Sequence, residues 1–205
     1  TGEGAFLRNE DKQEILRRVV AEAKPEQRVY AALLGPTTDF VLRELDELAG
    51  LGPDYFVAIT PYYGRVSQSD IVAHYTAIAE RSPVPVLLYD IPSRTGNPID
   101  LSTVLELAVH PNIAGIKNST GNFVGFSRGL LESESEGFSW IQGDDYLDAP
   151  ALLLGADGIV SGLSNVRVEP YVGIWRAAQR GDRALVVEWQ RVILALHRVI
   201  YACGG

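Results

Sequence analysis

Methionine does not occur in the 205 residues, and Cys203 is the single cysteine. One cysteine excludes an intrachain disulfide and points to a reducing, cytoplasmic setting. The absence of methionine, even at position 1, leads us to expect a piece of a longer chain. No apolar run approaches the ~18 residues of a membrane span. His74, His110 and His197 are scattered and no cysteine pair exists, so no zinc-like spacing is present. Basic residues are outnumbered, 18 against 26 acidic, for a formal charge of −8. That balance argues against nucleic acid or an anionic membrane as partner, but not against a small anionic substrate in a local positive pocket. Lysine is scarce too, occurring only at positions 12, 24 and 117, the first two at the polar face or end of a predicted helix.

What is present alternates. Short, nearly continuous apolar runs predict strands at Arg28–Leu34, Tyr55–Thr60, Val84–Tyr89, Ile113–Lys117, Phe138–Gln142 and Gly158–Ser161. Such runs fit strands buried on both faces of a parallel sheet. Between them, 3.6-residue periodicity predicts helices. Asp11–Lys24 carries Ile15, Leu16, Val19 and Val20 on one face, and Thr38–Ala49 follows a capping Gly-Pro-Thr-Thr. Further helices are predicted at Ser69–Arg81, Ser102–Val109, Phe123–Ser133, Tyr146–Leu154, Glu169–Arg180 and Asp182–Tyr201. Alternating β and α segments mean an α/β fold with a parallel sheet. No G-x-G-x-x-G follows an early strand and no P-loop occurs, which disfavours a nucleotide-binding doubly wound sheet. The expected fold is a (β/α)8 TIM barrel lacking its first strands in this chain. Residues 1–165 would form the partial barrel and 166–205 the C-terminal helices, all within one structural domain. The acidic Leu131–Gly137 stretch reads as a solvated loop.

In such barrels the chemistry sits where strands end. Successive strand ends here read Thr60-Pro61-Tyr62-Tyr63, then Tyr89-Asp90-Ile91-Pro92-Ser93-Arg94-Thr95-Gly96, then Lys117-Asn118-Ser119-Thr120-Gly121, then Gly143-Asp144-Asp145, then Ser161-Gly162-Leu163-Ser164-Asn165. Lys117 closes the apolar strand IAGIK. Partial desolvation there should lower its pKa and suit it to attack a carbonyl as a Schiff-base nucleophile. A buried ion pair with Asp90, Asp144 or Asp145 is an equal reading of position alone. Tyr89 could exchange protons or simply be a core aromatic with a satisfied hydroxyl. Arg94 could bind a substrate carboxylate or close a loop salt bridge. The Tyr62-Tyr63 pair suits an exposed contact patch or an oligomer interface.

At these strand ends the sequence resembles the dihydrodipicolinate synthase/N-acetylneuraminate lyase family of pyruvate-dependent aldolases. The resemblance extends to Thr1-Gly2-Glu3 and runs over essentially the whole chain; it implies that the first two barrel strands and further C-terminal helices are missing from this chain. It implies a class I aldolase in which Lys117 forms an imine with pyruvate and Tyr89 shuttles protons. It implies that Thr1 and Gly2 belong to the loop that binds the pyruvate carboxylate. Arg94 would bind the carboxylate of the second substrate, Val160 would line the pocket, and Tyr63 would reach a neighbouring subunit's site as part of a proton relay. No cofactor and no metal is implied. The partners implied are pyruvate, an aldehyde and further copies of the chain, as a dimer or tetramer.

Ser93-Arg94-Thr95 resembles the synthase branch, whose aldehyde is aspartate semialdehyde. N-acetylneuraminate lyase and 2-keto-3-deoxy sugar-acid aldolase remain alternatives. So does a non-catalytic barrel that kept the fold, while a phosphate-binding isomerase is disfavoured by the poor candidate loop after the last strand. Two departures stand out. Asp90 occupies a place where the family often has asparagine. Asn9, Lys12, Pro36 and Phe40 stand where lysine-inhibited synthases carry their allosteric histidine, asparagine and glutamate, so feedback inhibition by lysine is not expected.

Overall fold

A computed structural model describes residues 3–133 and 135–202. Strands form at β1 (Tyr30–Leu33), β2 (Tyr55–Ile59), β3 (Val86–Asp90), β4 (Ile113–Asn118), β5 (Ser139–Gln142) and β6 (Gly158–Ile159). Helices form at α1 (Asn9–Glu22), α2 (Thr38–Ala49), α3 (Gln68–Arg81), α4 (Pro92–Thr95), α5 (Leu101–Leu107), α6 (Phe123–Glu132), α7 (Asp148–Leu154), α8 (Glu169–Gln179) and α9 (Arg183–Ala202). Every strand and long helix expected from the apolar pattern is present, with ends moved by one or two residues. The exception is α4, where a turn was expected and one helical turn stands, opened by Pro92 and closed by Gly96 in the left-handed region at φ 74°.

The chain divides into two compact units: Thr1–Ile116 with Glu134–Phe138, and Lys117–Ser133 with Ser139–Gly205. In the first, β1, β2 and β3 pair in parallel in chain order, with Tyr30 opposite Tyr55 and Phe56 opposite Val86. Phe56, Ala58, Val86 and Leu88 are fully enclosed, as a sheet covered on both faces requires. In the second, β5 and β6 pair in parallel, and Gly143 N donates to Asn118 O at 2.8 Å, beside the end of β4. Among the described residues the fold is thus α/β with six parallel strands.

Local signals explain the helix starts. Thr37 caps α2, its hydroxyl accepting from Phe40 N, as the Gly-Pro-Thr-Thr entry predicted. Ser67 and Asp70 form a reciprocal capping box at α3. In α6, packing overrides propensity. Gly129 lies against the indole of Trp140, where any Cβ would overlap the ring, and Phe126 meets Trp140 edge-on at 5.8 Å.

One expectation for α1 needs correction, and its apolar face is only partly covered. Of its four apolar residues only Leu16 is buried, while Ile15 and Val19 are about half exposed. Lys12 does not lie on a free polar face. Its ammonium meets Glu44 Oε1 at 2.5 Å, and the other Glu44 oxygen accepts from Leu34 N at 3.0 Å. Glu44 is 2% exposed, so the pair pins α1 to α2 with both carboxylate oxygens engaged. Among the described residues no helix is long and apolar enough to cross a membrane, and no group of three His, Cys, Asp or Glu could hold a metal ion.

Candidate active site

Residues singled out in the sequence occur in both units. In the first unit, Tyr89 is the fourth residue of β3, half-buried, and Arg94 lies on α4 with its side chain in solvent. The intervening Asp90 is 2% exposed, and its Oδ1 accepts from Ile99 N at 3.3 Å. This bond closes the two ends of the loop that carries Arg94. Burial, with Asp100 adding to it, pushes the Asp90 carboxyl up to about 7, against the opposing effect of the Ile99 N–H.

Tyr63 follows β2 on a tight loop. Its backbone sits in the left-handed region at φ 77° and its side chain is fully exposed. A bulky residue there carries strain of roughly 1–3 kcal/mol, which the surrounding structure must hold. The holding group is Asn97, which the sequence did not single out. Its amide donates to Pro61 O at 2.9 Å and Gly64 O at 2.8 Å and accepts from Val66 N at 3.2 Å. An Asn after a Gly in a turn-rich segment reads as turn chemistry. Nothing local announces that its partners lie 31–36 residues away.

Behind these loops His74 is 1% exposed. Its Nδ1 lies 2.9 Å from Thr38 Oγ1 and its Nε2 lies 3.1 Å from Ile59 O. Burial brings its pKa down to about 4. A neutral ring with Nε2–H donating to the carbonyl and Nδ1 accepting from the hydroxyl satisfies both contacts.

In the second unit, Lys117 is the fifth residue of β4 and half-buried. Gly143 sits directly beside it. A Cβ at Gly143 would lie 2.9 Å from Lys117 Cε, overlap Ser119 Oγ, and stand 3.2 Å from Asn118 O. The glycine at the end of β5 therefore clears the space through which the lysine side chain passes. Gln142 fixes this turn, its Oε1 accepting from both Gly143 N and Asp144 N at 2.9 Å. Val160 N donates to Gln142 O at 2.8 Å, which sets Val160 at the end of β6 with its side chain about half exposed.

Below this floor lies a buried polar network. Asp145 Oδ1 accepts from Ser161 Oγ and, at 2.7 Å, from Tyr171 OH. Gln190 of α9 donates to Asp145 O and accepts from Ala149 N, both at 2.7 Å. Asp148 is 1% exposed, and its Oδ2 has no hydrogen-bond partner among the described residues. Burial first, then the nearby Asp145 and Asp144, push its carboxyl up to about 8. Unfolding returns it to about 3.8, so the folded state holds a proton between those values that the unfolded chain releases. Asp148 thus subtracts stability as pH rises through that window. Asp148→Asn should raise Tm at pH 8 to 9 and leave it unchanged near pH 4, as thermal melts would reveal. An equal change at both pH values would contradict this origin.

Thr1 and Gly2, expected to bind a carboxylate, lie outside the described residues. Lys117, Gly143 and Val160 stand at or just past strand ends of one unit; Tyr89 on β3, Arg94 on α4 and Tyr63 on the loop after β2 belong to the other.

The dihydrodipicolinate synthetase family model matches residues 1–204. The 4-hydroxy-tetrahydrodipicolinate synthase of Methanosphaerula palustris is 34% identical over 201 residues, covering 98% of this chain and 69% of its own length. That of Methanospirillum hungatei is 35% identical over 182 residues, covering 89% of this chain and 62% of its own. Among solved structures, the dihydrodipicolinate synthase of Acinetobacter baumannii, crystallised with pyruvate, superposes with a TM-score of 0.92 at 28% identity, covering 98% of this chain and 68% of that one. The chain thus spans about two thirds of the length of the relatives it matches. It belongs to the dihydrodipicolinate synthetase family.

Proposed function

We propose that this chain carries the catalytic residues of a 4-hydroxy-tetrahydrodipicolinate synthase, a cytoplasmic lyase of lysine biosynthesis that condenses pyruvate with aspartate semialdehyde. The reading rests chiefly on Lys117, next to last in an apolar strand and beside a glycine whose missing side chain leaves the lysine room. The names of the relatives support the same activity.

In this reading the Lys117 amine adds to the pyruvate carbonyl carbon and loses water to give a protonated imine. The imine is an electron sink, so a methyl proton departs and an enamine forms. The enamine carbon attacks the aldehyde carbon, whose oxygen takes up a proton. The amine of the second substrate then adds to the imine carbon and expels the lysine, which closes the ring. Tyr89 moves the protons, Val160 lines the pocket, and Arg94 pairs with the carboxylate that aspartate semialdehyde carries and a neutral sugar lacks. Thr1 and Gly2 would hold the pyruvate carboxylate. No metal and no cofactor takes part. Tyr63, exposed on its strained turn, would enter the site of a neighbouring copy in a dimer or tetramer, and the two units would belong to one (β/α)8 barrel domain.

The test has two arms. Incubation with pyruvate and borohydride, followed by peptide mass mapping, should place the adduct on Lys117; a folded, intact protein without adduct would refute the aldolase reading. Turnover should then be found with aspartate semialdehyde and not with N-acetylneuraminate or 2-keto-3-deoxy sugar acids, the reverse pattern moving the protein to another branch. L-lysine should not inhibit. Asn9, Lys12, Pro36 and Phe40 offer no set of polar side chains for such an effector, and the Lys12 ammonium is already committed to buried Glu44. Inhibition by micromolar L-lysine would contradict this.

A further inference from the structure

Asn97 sits on the loop after Arg94, yet its side chain spends every bond on a different loop. It is 4% exposed. Its Nδ2 donates to Pro61 O and Gly64 O, the carbonyls that bracket Tyr62 and Tyr63, and its Oδ1 accepts from Val66 N. Its backbone joins in. Asn97 O accepts from Thr60 Oγ1 at 2.9 Å, at the end of β2, and from Thr95 Oγ1 at 3.3 Å, one residue from Arg94. Thr60 is fully enclosed. At the other end of the arginine loop, Ile99 N is tied to Asp90, next to Tyr89. One buried amide therefore links the segment bearing Arg94 to the segment bearing Tyr63, and holds the latter where its backbone is strained.

We infer that Asn97 is a positioning residue that sets Arg94 and Tyr63 together, making the arginine loop and the tyrosine loop one rigid piece. The inference rests on the roles proposed above for those two side chains. Its physical basis is that an amide supplies two donors and an acceptor in one plane, which no other uncharged side chain of that length does. Removing it leaves the buried Pro61 carbonyl without this donor and frees the partly buried Gly64 carbonyl and Val66 N–H, so the tyrosine loop relaxes from its strained backbone. A displacement of about 1 Å in a positioned group lowers turnover on the order of a hundredfold.

The experiment is a set of double-mutant cycles in the intact protein. Asn97→Asp keeps shape and the acceptor while abolishing both donations; Asn97→Ser shortens the side chain without adding charge. Melting curves identify the variant that folds, and the cycles are measured on it. The Asn97 variant should lower kcat on the order of tenfold to a hundredfold and raise KM for the aldehyde. In a Tyr63→Phe background the kcat loss should shrink below about threefold, and in an Arg94→Ala background the KM increase should vanish, as expected for groups that act as a unit. Borohydride trapping of pyruvate should still go to completion at Lys117. Full multiplication of the losses in both backgrounds, or wild-type kinetics in a folded variant, would overturn the inference while trapping in the parent keeps the aldolase reading. Absence of the adduct in the wild-type protein would overturn that reading and this inference with it.

Discussion

Lys117→Ala should form no borohydride-stable adduct with pyruvate and should lose turnover by roughly a thousandfold or more, the scale expected when a covalent nucleophile is removed. The informative companion is Lys117→Arg. Arginine keeps the charge and most of the length at the end of β4, but its guanidinium remains protonated and cannot add to a carbonyl. If Lys117 served only as an ion-pair partner, Lys117→Arg would be close to wild type while Lys117→Ala would be impaired. If it is the nucleophile, both variants lose the adduct alike. Mass mapping after reduction, together with steady-state rates, separates the two. Equal activity of Lys117→Arg and wild type would end the Schiff-base reading.

Gly143→Ala should be the most damaging single change at a residue that performs no chemistry. The added Cβ would stand 2.9 Å from Lys117 Cε and overlap Ser119 Oγ, with Asn118 O behind it at 3.2 Å. The backbone carbonyl cannot yield easily, because Asn118 O accepts from Gly143 N itself at 2.8 Å. The lysine must therefore swing, and a nucleophile displaced by about 1 Å costs on the order of a hundredfold in rate. Pyruvate trapping measured against time should slow by that order. Combining Gly143→Ala with Ser119→Ala should restore part of the rate, since one of the two displaced side chains is then gone. A Gly143→Ala protein that traps pyruvate at the wild-type rate would show that the lysine does not need this space.

Much of the fold was legible because its strands are covered on both faces. Runs such as YFVAI and VLLYD must be apolar almost throughout, and that demand leaves a mark in sequence that survives whatever packs outside. Helix starts were legible at Thr37 because a cap is a local device. The apolar face of α1 was legible as a face, but periodicity reports which residues share it and not how much of it a neighbour covers. Ile15 and Val19 share the face of Leu16 and are still about half exposed. Lys12 was misread for a related reason. Its partner Glu44 lies 32 residues away, and an acidic residue on an amphipathic helix reads as solvated until the other helix is placed against it.

By itself the sequence determined that the chain alternates β and α, that its strands are parallel and buried, and that a lysine, a tyrosine and an arginine stand at strand ends. Those features are written in short-range patterns, since burial on both faces and strand length act residue by residue. Only the tertiary structure decided that Gly143 makes room for Lys117, that Asn97 holds the strained turn of Tyr63, and that Asp145 is engaged by Ser161, Tyr171 and Gln190. The physical reason is common to all three. A hydrogen bond or a steric gap is a property of a pair, and these pairs are separated by 16 to 45 residues of chain, or face one another across neighbouring strands.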